Sequence, residues 1–283
     1  MPRVTFTTED RAYLRHGARD LLVRLYRPAA PGKLPAVIDI HGGAWCNGDR
    51  LECAARDTVL AEAGLFVAAI DFRQGADGYP APLLDINYAI RWLKSQAAEL
   101  GIDPARVALS GQSSGGHLAM LTAMRPHDTR YGAIPLPMGA PPVDASVAAV
   151  AMTWPVINPL GRYRHARRAL DAPTPPAWVG DLPQRHDLFW KTEAAMDEGN
   201  PLRALERGET VRTPPALWIQ GRPDPVHDYR DPESPVPASE PERFAGAYRQ
   251  AGGRCELQYV AQANRGPDSA PLVARFLRAQ LGA

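Results

Sequence analysis

At 283 residues, 45% of them hydrophobic, the chain is long enough to bury one substantial core. A formal net charge of +1 is too near neutral to advertise a polyanionic partner, so no nucleic acid is expected, and no window approaches the roughly 18 consecutive apolar residues of a membrane span. Cys46, Cys53 and Cys255 are too scattered for a disulfide framework or a metal cluster. The first twenty residues mix charges throughout and lack a signal peptide's apolar centre, so the expectation is one cytoplasmic domain over residues 1–283.

In chain order, residues 20–26 (Asp-Leu-Leu-Val-Arg-Leu-Tyr) read as a strand, ended by Arg27-Pro28 and expected at a sheet edge. Residues 35–40 and 65–70 are short apolar runs flanking a charged, helix-compatible segment at 51–63, the strand-helix-strand grammar of a parallel α/β sheet. Leu83, Ile86, Ile90, Leu93 and Ala97 recur at helical spacing, and Gly101 closes that segment as a C-cap glycine would. Residues 106–110 form a further buried strand that runs straight into Gly111-Gln112-Ser113-Ser114-Gly115 and an Ala/Leu/Met helix. Strands at 147–153 and 214–220 bracket a long Pro- and Arg-rich stretch. A loop at 222–241, a helix at 242–251, a strand at 255–260 and a closing helix carrying Leu272, Val273, Phe276 and Leu277 complete the chain.

Gly111-Gln-Ser113-Ser-Gly115 fits G-x-S-x-G, in which small residues flank the serine because the strand-to-helix turn is too sharp for side chains beside it. The turn raises the Ser113 hydroxyl over the sheet at a helix N-terminus, where the dipole favours developing negative charge. About 70 residues earlier, His41-Gly42-Gly43-Ala44-Trp45 follows the strand ending at Ile40 and supplies backbone N–H donors in a glycine-loosened loop.

On these two motifs, with residues 79–85 (Tyr-Pro-Ala-Pro-Leu-Leu-Asp) and Asp103-Pro104, the chain resembles the α/β-hydrolase superfamily, and within it the hormone-sensitive-lipase-like carboxylesterases. The resemblance covers nearly the whole chain. It implies a mostly parallel central sheet flanked by helices, and Ser113 as the nucleophile. It also implies an oxyanion hole donated by Gly43, Ala44 and Ser114, with Gly42 permitting the turn. Ala44 stands where relatives carry a third glycine, a tolerable change because the donor is the backbone N–H. His41 then belongs to the loop's structure. Asp224, in Gly221-Arg-Pro-Asp224, resembles the acid that orients the catalytic histidine, with Asp228 and Asp231 as nearby fallbacks. No metal and no cofactor is implied. The partner is a small-molecule ester, and nothing in the sequence decides between a monomer and a homo-oligomer.

The fourth element departs from the pattern. Relatives carry the histidine after the last strand, and the corresponding stretch here, residues 260–267, places Arg265 in that slot. Arginine stays protonated and cannot accept the serine proton. Three readings follow: an esterase in which another histidine serves, His227 first and then His117, His165 or His186; an esterase impaired by the loss of its base; or a non-catalytic ligand-binding protein in which Arg265 pairs with an anion, as in the plant gibberellin receptors that resemble the same lipases. The intact elbow, oxyanion loop and acid favour a serine hydrolase acting on carboxylic esters through an acyl-enzyme.

Residues 155–213 are expected to form a cap inserted between two strands. Trp178 and Trp190, with Trp154 just before and Phe189 within it, suit an apolar pocket wall, and Arg162, Arg164, Arg167 and Arg168 read as a solvated face.

Overall fold

Every residue of β3 (Leu34–Ile40) and of β4 (Phe66–Ile70) is buried, as strands covered by helices on both faces must be. The computed structural model describes residues 3–283 and assembles them around one eight-stranded sheet in the order β1-β2-β4-β3-β5-β6-β7-β8. From β4 onward across the sheet the neighbours are parallel: β5 (Ile102–Gln112), β6 (Val150–Thr153), β7 (Ala216–Arg222) and β8 (Cys255–Ala261). β1 (Phe6–His16) and β2 (Arg19–Pro28) form an antiparallel hairpin at one side.

Residues 20–26 therefore do not lie at the edge. β2 is held between β1 and β4, and the edge belongs to β1. β1 (FTTEDRAYLRH) is charged and largely exposed, with no apolar alternation to announce it, which is what an edge strand that resists further pairing looks like.

Helices cover both faces, and the period of two along each strand divides the core between them. Ile38 and Ile40 face one side, against Leu83, Ile86, Ile90 and Leu93 of α2 (Ala81–Ser95) and Leu118 of α4 (Ser114–Met124). Val37 faces the other side, against Leu60 of α1 (Ala54–Glu62) and Val273, Phe276 and Leu277 of α10 (Arg265–Leu281). Burying such side chains contributes about 1.5–3 kcal/mol each. A short α3 (Ala97–Leu100) ends at Gly101, whose φ of 70° supplies the left-handed C-cap. Four helices fill the connection from β6 to β7: α5 (Pro159–Leu170), α6 (Leu182–Trp190), α7 (Glu193–Glu198) and α8 (Pro201–Glu206). α9 (Glu240–Gln250) precedes β8.

The consequence for function is positional. β3, β5, β6 and β7 run parallel, so the loops after Ile40, Gln112, Thr153 and Arg222 all leave the same end of the sheet, where open α/β sheets place their sites. Among the described residues, no helix is long and apolar enough to cross a membrane.

Candidate active site

Ser113 joins β5 to α4 with φ 52° and ψ −118°, a conformation that L-residues adopt only under constraint. The constraint is packing. A Cβ on Gly115 would stand 2.2 Å from the carbonyl oxygens of both Ile40 and His41, so only glycine lets the elbow press against the end of β3. The backbone is fixed on its other side by Ser113 N–H donating to Thr153 O (2.9 Å) and by Val156 N–H donating to Ser113 O (3.1 Å).

The loop after β3 lies against this elbow, since a Cβ on Gly42 would meet Ser113 Cβ at 3.4 Å. Gly43 has φ 101° and leaves no room for a side chain: a Cβ there would fall 1.8 Å from Asn47 O. Ala44 and Trp45 follow with φ 50° and 61°, two consecutive left-handed residues without the freedom of glycine. No described residue accepts a hydrogen bond from the N–H of Gly43 or Ala44. A tight loop with unpaired N–H groups can stabilise an anion forming on a bound carbonyl. His41 is structural here. Its ring stacks on Phe72 at 4.3 Å and its Nδ1 is bonded to Gly42 O at 2.9 Å.

A carboxylate and an imidazole come from one turn after β7. Asp224 Oδ1 accepts from the backbone N–H of Val226 (3.1 Å) and His227 (3.3 Å), folding the chain back so that His227 Nδ1 lies 2.9 Å from Asp224 Oδ2. His227 Nε2 then stands 3.1 Å from Ser113 Oγ. A carboxylate can only accept, so Nδ1 carries the proton and Nε2 offers its lone pair to the serine hydroxyl. Both side chains are buried. Burial pushes the Asp224 carboxyl up, but the hydrogen bond and charge of His227, the Arg265 guanidinium and the Val226 N–H outweigh it and hold Asp224 below its usual range. Burial pushes His227 down, Asp224 pushes back only in part, and the charges of Arg162 and Arg265 add to the lowering. The imidazole is therefore neutral at neutral pH, the state a general base needs.

Asp224 Oδ2 also accepts from Gln220 Nε2 (3.2 Å) and Arg265 Nη1 (3.1 Å). Arg265, at the start of α10, reaches the acid but is committed twice over, to that carboxylate and to the face of Trp154, 4.4 Å from the ring centroid. Gln220 escaped the sequence reading. Its only signal is a polar residue in an otherwise apolar strand end four positions before the acid, and it is fully buried. Asp228 pairs with Arg222, and Asp231 with Arg168, so neither fallback acid touches His227.

The other histidines weighed as bases are occupied elsewhere. His117, on the nucleophile helix, donates from Nε2 to Gly199 O (2.7 Å) and accepts at Nδ1 from Trp45 Nε1 (3.2 Å). His186 donates from Nδ1 to Leu182 O (2.7 Å) and accepts at Nε2 from Arg162 Nε (3.4 Å). His165 is stacked between Trp178 and Tyr229 and its Nε2 bonds Pro225 O at 3.0 Å, within the turn from Asp224 to His227.

The arginine group is not one solvated face. Arg164 and Arg168 pair with Glu193, Glu233 and Asp231 near the surface, whereas Arg162 is only 2% exposed. The aromatics also divide: Phe189 stacks on Trp45 and Trp190 on Tyr79 as packing, while Trp154 carries Arg265.

The sheet order, the elbow and the loops at one end of the sheet define an α/β-hydrolase fold of the carboxylesterase type. The BD-FAE family model matches residues 23–231, a span that holds Ser113, Asp224 and His227 and stops before Arg265, and the chain belongs to that family. The chain is 32% identical over 266 residues to Esterase LipQ of Mycobacterium tuberculosis, covering 88% of this chain and 54% of LipQ. It is 36% identical over 124 residues to Carboxylesterase NlhH of the same organism, covering 42% of this chain and 39% of NlhH. The chain thus spans about half or less of the length of these curated relatives. Among solved structures, an esterase from Pyrobaculum calidifontis matches with a TM-score of 0.73 at 22% identity, covering 98% of this chain and 86% of that one. The carboxylesterase EstE1, cloned from a metagenomic library, matches with a TM-score of 0.73 at 23% identity, covering 99% and 91%. These two share the fold.

Proposed function

We propose that the chain is an active serine esterase that hydrolyses carboxylic esters through an acyl-enzyme on Ser113, with His227 as its general base and Asp224 as the orienting acid. The observation that carries this reading is the continuous path from Ser113 Oγ to His227 Nε2 (3.1 Å) and from His227 Nδ1 to Asp224 Oδ2 (2.9 Å).

Ser113 Oγ attacks the ester carbonyl carbon while its proton passes to His227 Nε2. Asp224 stabilises the imidazolium that forms. The carbonyl oxygen becomes an oxyanion, for which the N–H groups of Gly43, Ala44 and Ser114 are the donors at the elbow. Collapse breaks the bond to the alcohol oxygen, which takes the proton from His227 and leaves. Water then gives a proton to His227 and attacks the acyl carbon, and the second collapse returns that proton to Ser113 Oγ and frees the acid.

Arg265 takes no proton in this scheme. It fixes Asp224 and depresses His227, so its presence in the slot that relatives give to histidine does not imply an impaired enzyme. The segment 155–213 is read as the cap that walls the cleft. One solved relative, the Est2 esterase of Thermogutta terrifontis, is described as butyrate-bound, which makes short acyl esters the first substrates to try. The test is hydrolysis of p-nitrophenyl butyrate together with labelling by a fluorophosphonate. Turnover with one phosphonate on Ser113 supports the reading, and an unlabelled Ser113 with no turnover removes it.

A further inference from the structure

Arg162 is buried at 2% exposure and forms no ion pair among the described residues. A buried guanidinium without a counter-ion is among the costliest things a core can hold. Its Cζ lies 5.0 Å from the centroid of the Trp45 ring, its Nε reaches His186 Nε2 at 3.4 Å, and its Nη2 is buried with no partner. Arg265 shows what the satisfied arrangement looks like in this same chain: an aromatic face on one side and a carboxylate oxygen at 3.1 Å on the other. Arg162 has the aromatic face and lacks the carboxylate.

Its position says where that carboxylate would come from. Trp45 directly follows Ala44 of the oxyanion loop. Arg162 also lines, together with His227 and Tyr229, a cavity of about 10 Å³, room for a single oxygen atom. Glu240 shares that cavity but is engaged by Asn158 (2.8 Å) and Arg243 (3.1 Å), so it does not neutralise Arg162. Burial pushes the Arg162 pKa down to about 10, which still leaves a cation at neutral pH.

We propose that Arg162 recognises a carboxylate carried by the ester substrate, so that the site prefers anionic esters over neutral ones of the same shape. The proposal rests on the ester-hydrolase reading above. One carboxylate oxygen fits the space beside Arg162, and the pairing would supply the counter-charge and the hydrogen bond that the guanidinium lacks. His227 gives its proton to the departing alcohol, so a group held beside His227 and Arg162 belongs first to the leaving-group side.

Two matched pairs test this. 4-Acetoxybenzoate and its methyl ester differ by a charge on the leaving group; mono-p-nitrophenyl adipate and p-nitrophenyl hexanoate differ by a charge at the far end of the acyl chain. Binding is read on Ser113→Ala by tryptophan fluorescence, which needs no turnover, and kcat/KM on the parent. The expected result is a preference of about tenfold or more for the charged member of at least one pair, lost in Arg162→Met and kept in part by Arg162→Lys. A parent with no preference in either pair overturns the proposal, even if Arg162→Met fails to fold. So does an Arg162→Met that weakens charged and neutral members equally. If the charged ligands bind preferentially but no ester is turned over, the hydrolase reading fails and the carboxylate site stands.

Discussion

His227 follows Asp224 by three residues, and the same turn that brings its Nδ1 within 2.9 Å of the Asp224 carboxylate carries its Nε2 to 3.1 Å from Ser113 Oγ. In the proposed mechanism, acid and base are thus delivered as one unit by the loop after β7, leaving the loop after β8 to supply Arg265 as a brace.

Because Asp224 fixes the tautomer of His227, Asp224→Asn should lower kcat/KM for p-nitrophenyl butyrate by about 10³–10⁴-fold while leaving the fold intact. An amide can donate to Nδ1 and so favours the tautomer with the proton on Nε2, where it faces the serine. Circular dichroism checks the fold, and a loss of less than tenfold would show that Asp224 does not orient the base.

The pH profile follows from the same burial. A general base works only when neutral, so activity rises as pH climbs through the His227 pKa. That pKa is lowered chiefly by burial, with Arg162 and Arg265 adding to it, so kcat/KM should already be above half its plateau at the ordinary histidine value of 6.5. An acidic limb centred above that value would contradict the environment described for His227.

Arg265→Met removes one of the charges that lower His227 and one of the hydrogen bonds to Asp224. The His227 pKa should rise and the acidic limb should move to higher pH, with kcat/KM at pH about 8 reduced less than at pH about 6. An unmoved limb, read from kcat/KM across that range, would show that Arg265 does not act on the base.

Gly115→Ala would place a methyl carbon 2.2 Å from two backbone oxygens at the end of β3. Backbone cannot swing aside as a side chain can, so the cost should be about 2 kcal/mol or more, read as a lower urea midpoint, with activity lost through displacement of Ser113.

Much of this was legible in the sequence because it depends on local rules. The buried strands at β3, β4 and β7, the apolar face of α2 and the elbow at Ser113 each follow from residues within one element. What escaped depends on neighbours far away in the chain. β1 is charged and becomes a strand only because β2 offers it a partner. Arg162 sits among three other arginines and goes inward only because Trp45 and His186 receive it. The choice of base is the sharpest case. A resemblance to relatives with a histidine after the last strand points to the Arg265 slot and makes the catalytic set look incomplete. Asp224-Pro-Val-His227 held the alternative in plain view, but the closure of that turn on the Asp224 carboxylate is a matter of geometry.

The most direct test is therefore to compare p-nitrophenyl butyrate hydrolysis by the parent, His227→Ala and Arg265→His. If His227 is the base, the parent turns over, His227→Ala loses about 10³-fold or more in kcat, and Arg265→His gains nothing over the parent. A His227→Ala variant as fast as the parent, or a parent that becomes active only as Arg265→His, would contradict the account.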